Sequence, residues 1–114
     1  MTTYELDRME LGEGGLACFA LSGELDLTNA DELARRLDDL ANGHTAVVLD
    51  LTRVAFIDSA AIHRLFRIAR ERRLSVAFVV EPGAPIATTL EIAGLGRAAP
   101  VAATLEEAKT ALVR

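Results

Sequence analysis

Two rhythms of apolar residues run along this chain. Leu16-Ala-Cys-Phe-Ala-Leu21, Ala46-Val-Val-Leu-Asp-Leu51 and Ser75-Val-Ala-Phe-Val-Val80 are short, nearly continuous apolar runs. Such runs predict strands covered on both faces. Thr3 to Met9 alternates more weakly and reads as an edge strand that ends at Gly12-Glu-Gly-Gly15. Two adjacent strands joined by a short glycine-rich turn predict an antiparallel hairpin. Val101-Ala102 reads as a brief last strand.

Between these runs the spacing changes to three and four. Ala30, Leu33, Ala34, Leu37, Leu40 and Ala41 form one buried stripe of a helix capped by Thr28 or Asn29 and stopped at Asn42-Gly43. A second helix spans Ala60 to Arg73, with Asp58 and Ser59 at its start, both good N-cap types. At about 100° per residue, Ala61, Leu65, Ile68 and Ala69 point inward with Ile62 at the margin. Ser59, His63, Phe66, Arg67 and Arg70 share the outer face, so Phe66 is expected to be exposed beside Ser59. Pro85 suits the first turn of a third helix through Leu90 to Ala93 that Gly94 ends, and Thr104-Leu-Glu-Glu107 is a capping box opening a helix to about Val113. Strands alternating with helices predict an α/β fold. Residues 1–114 form one domain, a mixed sheet of four to five strands packed against about four helices.

Composition narrows the picture. Hydrophobic residues make up 51% and aromatic residues 4%, so the core is aliphatic and the chain globular. The net charge of −5 argues against direct nucleic-acid binding. The lone Cys18 excludes an internal disulfide and fits a buried position; with no apolar run long enough to span a bilayer, a cytoplasmic protein without membrane contact is expected. Charge is uneven: residues 53–73 carry six Arg against Asp58 and Glu71, whereas residues 1–41 are strongly acidic. That contrast marks either a solvated helix face or a docking face for an acidic partner.

Chemistry-bearing patterns are sparse. Gly12-Glu-Gly-Gly15 lacks the Lys-Ser/Thr of a phosphate loop, and His63 and His44 have no ligand cluster at metal-binding spacing, so no cofactor and no metal are expected. Ser59, Asp58 and His63 invite comparison with a catalytic triad, but no nucleophile elbow surrounds Ser59, and no enzyme activity is expected.

Four segments in order carry a resemblance. Asp50-Leu-Thr-Arg-Val-x-x-Ile-Asp58-Ser59-x-x-Ile62 resembles the phosphorylation segment of STAS domains of the bacterial anti-sigma factor antagonist family, with its Asp-Ser-Ser/Thr-Gly signature. Leu21-Ser-Gly-Glu-Leu-Asp26 resembles the family's second strand and the Gly-Glu-Leu/Ile-Asp run that follows it, Leu90-Glu-Ile-Ala-Gly-Leu95 its Leu-x-Leu-Thr-Gly-Leu segment, and Thr104-Leu-Glu-Glu-Ala108 the opening of its last helix. Ala60 and Ala61 depart from it, standing where the family usually has a hydroxyl residue and Gly. The resemblance implies that Ser59 is phosphorylated by an anti-sigma factor serine kinase, and that the unmodified form binds that kinase and releases a sigma factor. It also implies a phosphatase that resets the switch. The partner surface is expected at Asp26, Asp58, Ala60, Ala61, Ile62, His63, Phe66 and Arg67, and a homodimer is left open. The alternative is a constitutive STAS adaptor subunit of a transporter or signalling complex, never phosphorylated. The departures at Ala60 and Ala61 favour that alternative.

Overall fold

The computed structural model describes residues 3–9, 15–71 and 75–112. In chain order the elements are β1 (Tyr4–Met9), β2 (Leu16–Leu25), α1 (Ala30–Ala41), β3 (Ala46–Ile57), α2 (Ser59–Glu71), β4 (Ser75–Val79), α3 (Pro85–Ala93), α4 (Leu95–Ala98), β5 (Val101–Ala102) and α5 (Leu105–Leu112). The sheet order is β1-β2-β3-β4-β5; β1 runs antiparallel to β2, and β2 to β5 are mutually parallel. The expected hairpin and mixed sheet are therefore present, while most of the glycine-rich turn, Gly12 to Gly14, lies outside the described residues.

Alternation along the strands splits the core into two layers. Phe19, Leu21, Leu49, Leu51, Phe78 and Val80 meet the inner faces of α1 to α4 on one side of the sheet. Cys18, Val48, Ala77 and Val79 meet α5, through Ala108, on the other. A strand inside a parallel sheet is buried on both faces, and this is why β4 reads as unbroken apolar sequence.

Three element boundaries differ from the sequence expectation. β3 does not stop at Leu51 but runs to Ile57, and β2 extends to Leu25. Their pairing slips twice: Ala20 faces Asp50 but Ser22 faces Arg53, and Gly23 faces Val54 but Glu24 faces Phe56. Each slip gives β3 one extra residue, a bulge, so its inward positions fall at Leu49, Leu51, Val54 and Ile57 instead of strictly alternating. Asp50 Oδ1 accepts the Thr52 N–H at 2.9 Å at the first slip, supplying an acceptor where the ladder is interrupted. Gly23 is required here: its φ is +89°, and a Cβ would stand 2.5 Å from the Thr3 carbonyl oxygen. Finally, Gly94 ends α3 in the left-handed conformation, as expected, but the chain then makes the one-turn helix α4 and buries Leu95, a fifth helix the periodicity did not disclose.

The cap of α1 is also not the simple one expected. Asn29 occupies the N-cap position without a side-chain cap bond. Instead the buried Asn29 amide ties down the preceding loop, Nδ2 donating to the Glu24 carbonyl at 2.9 Å and Oδ1 accepting the Asp26 N–H at 3.0 Å. That loop belongs to the site described next.

Candidate functional site at the carboxyl ends of β2 and β3

The parallel strands β2 to β5 all end at one rim of the sheet, the edge at which open α/β sheets place their sites. Asp58 alone joins β3 to α2, and it is saturated. Its N–H donates to the Leu25 carbonyl at 3.1 Å and its carbonyl accepts the Ile62 N–H at 3.0 Å. Oδ1 accepts the Ala61 N–H at 2.9 Å, capping α2, and Oδ2 accepts the Leu27 N–H at 3.0 Å, holding the β2–α1 loop. The capping duty that sequence left open between Asp58 and Ser59 thus falls to Asp58. Both carboxylate oxygens are committed to main-chain donors, so the carboxylate is not directed at His63, as a triad would need.

Ser59 is consequently the first residue of α2 and is exposed. Its own N–H and that of Ala60 belong to the first turn, which has no intrahelical acceptors, and the positive end of the helix dipole lies there. A hydroxyl in this place is open to a macromolecular active site, and an anion on it is favourably placed.

The other sequence-predicted positions sort by burial. His63 and Arg67 are exposed on the Ser59 face, and Ala60 is half-buried beside it. Asp26 is half-buried, and its Oδ1 accepts the Thr28 N–H at 2.9 Å, a turn that shapes the loop next to Asp58. Ala61 points inward as the wheel expects and Ile62 is buried with it, at 1% and 7% exposure, so both belong to the core and not to the exposed surface where the partner site was expected. A wheel gives the angle of Ile62 but not the width of the buried sector, which the closely packed neighbours of α2 widen. Phe66 is a correction too, half-buried against the main core, with the Arg70 guanidinium 5.4 Å from its ring centroid. The arginine-rich face is partly satisfied within the chain: Arg64 Nε donates to Asp31 Oδ1 of α1 at 2.8 Å, and Arg35, Asp38 and Arg67 line the same groove between α1 and α2.

Sequence reasoning missed two apolar residues at this rim. Leu27 is 75% exposed and Phe56 is 49% exposed, each within two residues of Asp58 or of its partner Leu25 in the chain or ladder. The only signal for Leu27 was an apolar residue stranded between a strand and a cap; Phe56 was hidden by the bulge. At the other half of the rim, an apolar groove of about 360 Å³ is lined by Val80, Leu90, Leu95 and Ala102, with Glu91 the one ionisable residue among the described ones. Among the described residues, no group of three or more His, Cys, Asp or Glu could hold a metal ion, and no helix is long and apolar enough to cross a membrane.

Known proteins share this fold. The STAS domain model matches residues 11–108. Over 98 residues the chain is 31% identical to anti-sigma-F factor antagonist RsfB of Mycobacterium tuberculosis, covering 84% of this chain and 80% of that protein. An anti-sigma factor antagonist from Mycobacterium paratuberculosis superposes with a TM-score of 0.76 at 24% identity, over 96% of both chains. SpoIIAA superposes at 0.60 in its unphosphorylated form (16% identity, 95% and 94% covered). The phosphorylated form of the Bacillus protein gives 0.57 (21% identity, 95% and 97% covered). By the family model and the reach of these alignments, this chain belongs to the STAS domain family.

Proposed function

We propose that this chain, one STAS domain across residues 1–114, is an anti-sigma factor antagonist that binds an anti-sigma factor serine kinase and is switched off by phosphorylation at Ser59. The observation that carries the reading is the division of labour at the β3–α2 corner. Asp58 supplies the cap, so the Ser59 hydroxyl is exposed and not needed to hold the helix. In the transfer, Ser59 Oγ forms a bond to the γ-phosphorus of ATP, the bond to the ADP oxygen breaks, and the hydroxyl proton passes to a base on the kinase. Ser59 is a substrate in this step, not a catalyst.

The energetics make this a binding switch. Phosphate adds about −1.5 to −2 charges, which the helix N-terminus favours by about 0.3–1 kcal/mol at an exposed site. The free domain therefore stays folded. Beneath a docked partner, the same charge loses solvation and costs several kcal/mol if left unpaired. At 1.4 kcal/mol per tenfold, that is enough to end binding. The unmodified form would hold the anti-sigma factor and leave the sigma factor free; a separate phosphatase would restore it.

The departure at Ala61 gives no support to a chain that is never modified. Its methyl points into the core and cannot obstruct a kinase approaching Ser59. The test is to incubate the chain with a purified anti-sigma factor kinase of the same bacterium and ATP, and to map the phosphate by mass spectrometry. Phosphate is expected on Ser59, with Ser59→Ala binding the kinase like the parent and Ser59→Asp at least tenfold more weakly. Phosphate elsewhere, or equal binding by both variants, refutes the reading.

A further inference from the structure

Leu27 stands out among the apolar side chains of the rim. It is 75% exposed, yet its main chain is held from two sides: its N–H by Asp58 Oδ2 at 3.0 Å, and its loop by the buried Asn29 through bonds of 2.9 and 3.0 Å to Glu24 and Asp26. An exposed apolar side chain on an immobilised main chain loses little conformational freedom on docking, and such preorganisation is what distinguishes an anchor from an ordinary surface leucine. Phe56 lies in register with Glu24 at the adjoining end of β3 and is half exposed, a second exposed apolar side chain at the same rim. Around it stand carboxylates: Glu24 is exposed, and Asp26 and Asp58 are half-buried.

Building on the function proposed above, we infer that Leu27 is the apolar anchor of the anti-sigma factor interface and that Asp58 is its positioning residue. The partner surface that fits is an apolar pocket bordered by basic side chains. The inference also accounts for the residue type at position 58. The two N–H groups of Leu27 and Ala61 approach different oxygens of one side chain. Only a carboxylate offers two equivalent acceptors; Asn offers one acceptor and a competing donor, and Ser one oxygen. A serine at this position would still cap α2, because Ser is among the favoured N-caps, but it would release Leu27. The residue that presents the anchor is thus the immediate neighbour of the residue that carries the phosphate.

The experiment compares Leu27→Ala, Asp58→Ser, Asp58→Asn and the pair Leu27→Ala with Asp58→Ser. Affinity for the purified kinase is measured by calorimetry with ADP, so that no phosphate is transferred, and amide exchange is measured by NMR on the free chains. Leu27→Ala is expected to weaken binding at least tenfold without loss of fold. Asp58→Ser is expected to speed exchange of the Leu27 amide at least tenfold while Ala61 and Ile62 remain protected, and to weaken binding. Adding Leu27→Ala to it should cost less than in the parent. Asp58→Asn, which keeps the shape of the side chain, should weaken binding in the same direction. Parent-like binding by Leu27→Ala overturns the anchor. An unchanged Leu27 amide in Asp58→Ser, or fully additive losses, overturns the positioning role. Failure here is separable from failure of the switch: Ser59→Asp can abolish binding while Leu27→Ala does not, and the Leu27 effect can hold while no phosphate reaches Ser59.

Discussion

At the scale of single residues, neighbours of similar chemistry have opposite fates because geometry assigns each a different set of contacts. Asp58 makes four hydrogen bonds with the main chain, while Ser59, one residue on, faces solvent. Cys18 is a second instance. It is fully buried, its thiol 3.7 Å from the Met9 sulfur, and burial pushes its pKa up to about 11, with the Asp50 carboxylate adding to the rise and Lys109 opposing it. The thiolate is the reactive form, so the native thiol should be inert. Iodoacetamide at pH 8 is expected to leave Cys18 unlabelled in the folded chain and to label it fully in denaturant; comparable labelling in both states contradicts the burial. The sign of the pH dependence follows. Well below pH 9 both folded and unfolded thiols are almost wholly protonated, and the group adds almost nothing to the slope. Between about 9 and 11 the unfolded chain releases the proton first, so stability measured by urea unfolding should fall as pH rises through that window.

Among the elements, α2 and β3 carry the departures from expectation, and each has a local cause. Bulges in β3 break the two-residue rhythm, so a strand of 12 residues looks like one that ends at Leu51 followed by a turn. The same irregularity turns Phe56 outward. In α2 the buried sector is wider than the apolar stripe suggests and takes in Ile62 and part of Phe66. Ala61 lies in the middle of that sector, so its role belongs to the helix and not to the partner surface. Ala61→Gly is expected to destabilise the domain by about 1 kcal/mol, the usual helix cost, plus the loss of a buried methyl. The same substitution should leave kinase affinity within about twofold, measured by denaturant unfolding and calorimetry on one preparation. A large affinity change at unchanged stability would show that position 61 meets the partner after all.

For the molecule as a whole, the sheet is covered unequally. Four helices cover one face and α5 the other, and Ala108 packs over Cys18, Val48, Ala77 and Val79 at zero exposure. A close helix-on-sheet contact built on alanine has no spare volume. Ala108→Leu is therefore expected to cost about 1–3 kcal/mol by overpacking, seen as a lower urea midpoint, without altering phosphorylation of Ser59, which is not part of that cluster. A midpoint equal to the parent's would mean that α5 sits more loosely than its burial indicates. The charge contrast along the sequence also resolves at this scale. Part of the arginine face of α2 finds its acidic complement in α1, through Arg64 and Asp31, so the contrast is in part an internal pairing rather than wholly an advertisement to a partner.

What could be read from the sequence was whatever depends on near neighbours in the chain. The apolar runs, the three-four spacing of α1, the capping box at Thr104, whose Oγ1 accepts the Glu107 N–H at 3.2 Å, and the Asp-Ser corner at 58 and 59 are all local patterns, and each stands where its periodicity or capping chemistry put it. What only tertiary structure decided depends on residues far apart in sequence. The β2–β3 register, with its slips, set the length of β3 and exposed Phe56. The bond from Leu27 to Asp58 spans 31 positions, and it decided which loop shares the rim with Ser59. Local pattern follows from the stereochemistry of a few adjacent peptide units. Exposure and partnership follow from how separate elements close against one another, and no window of neighbouring residues contains that information.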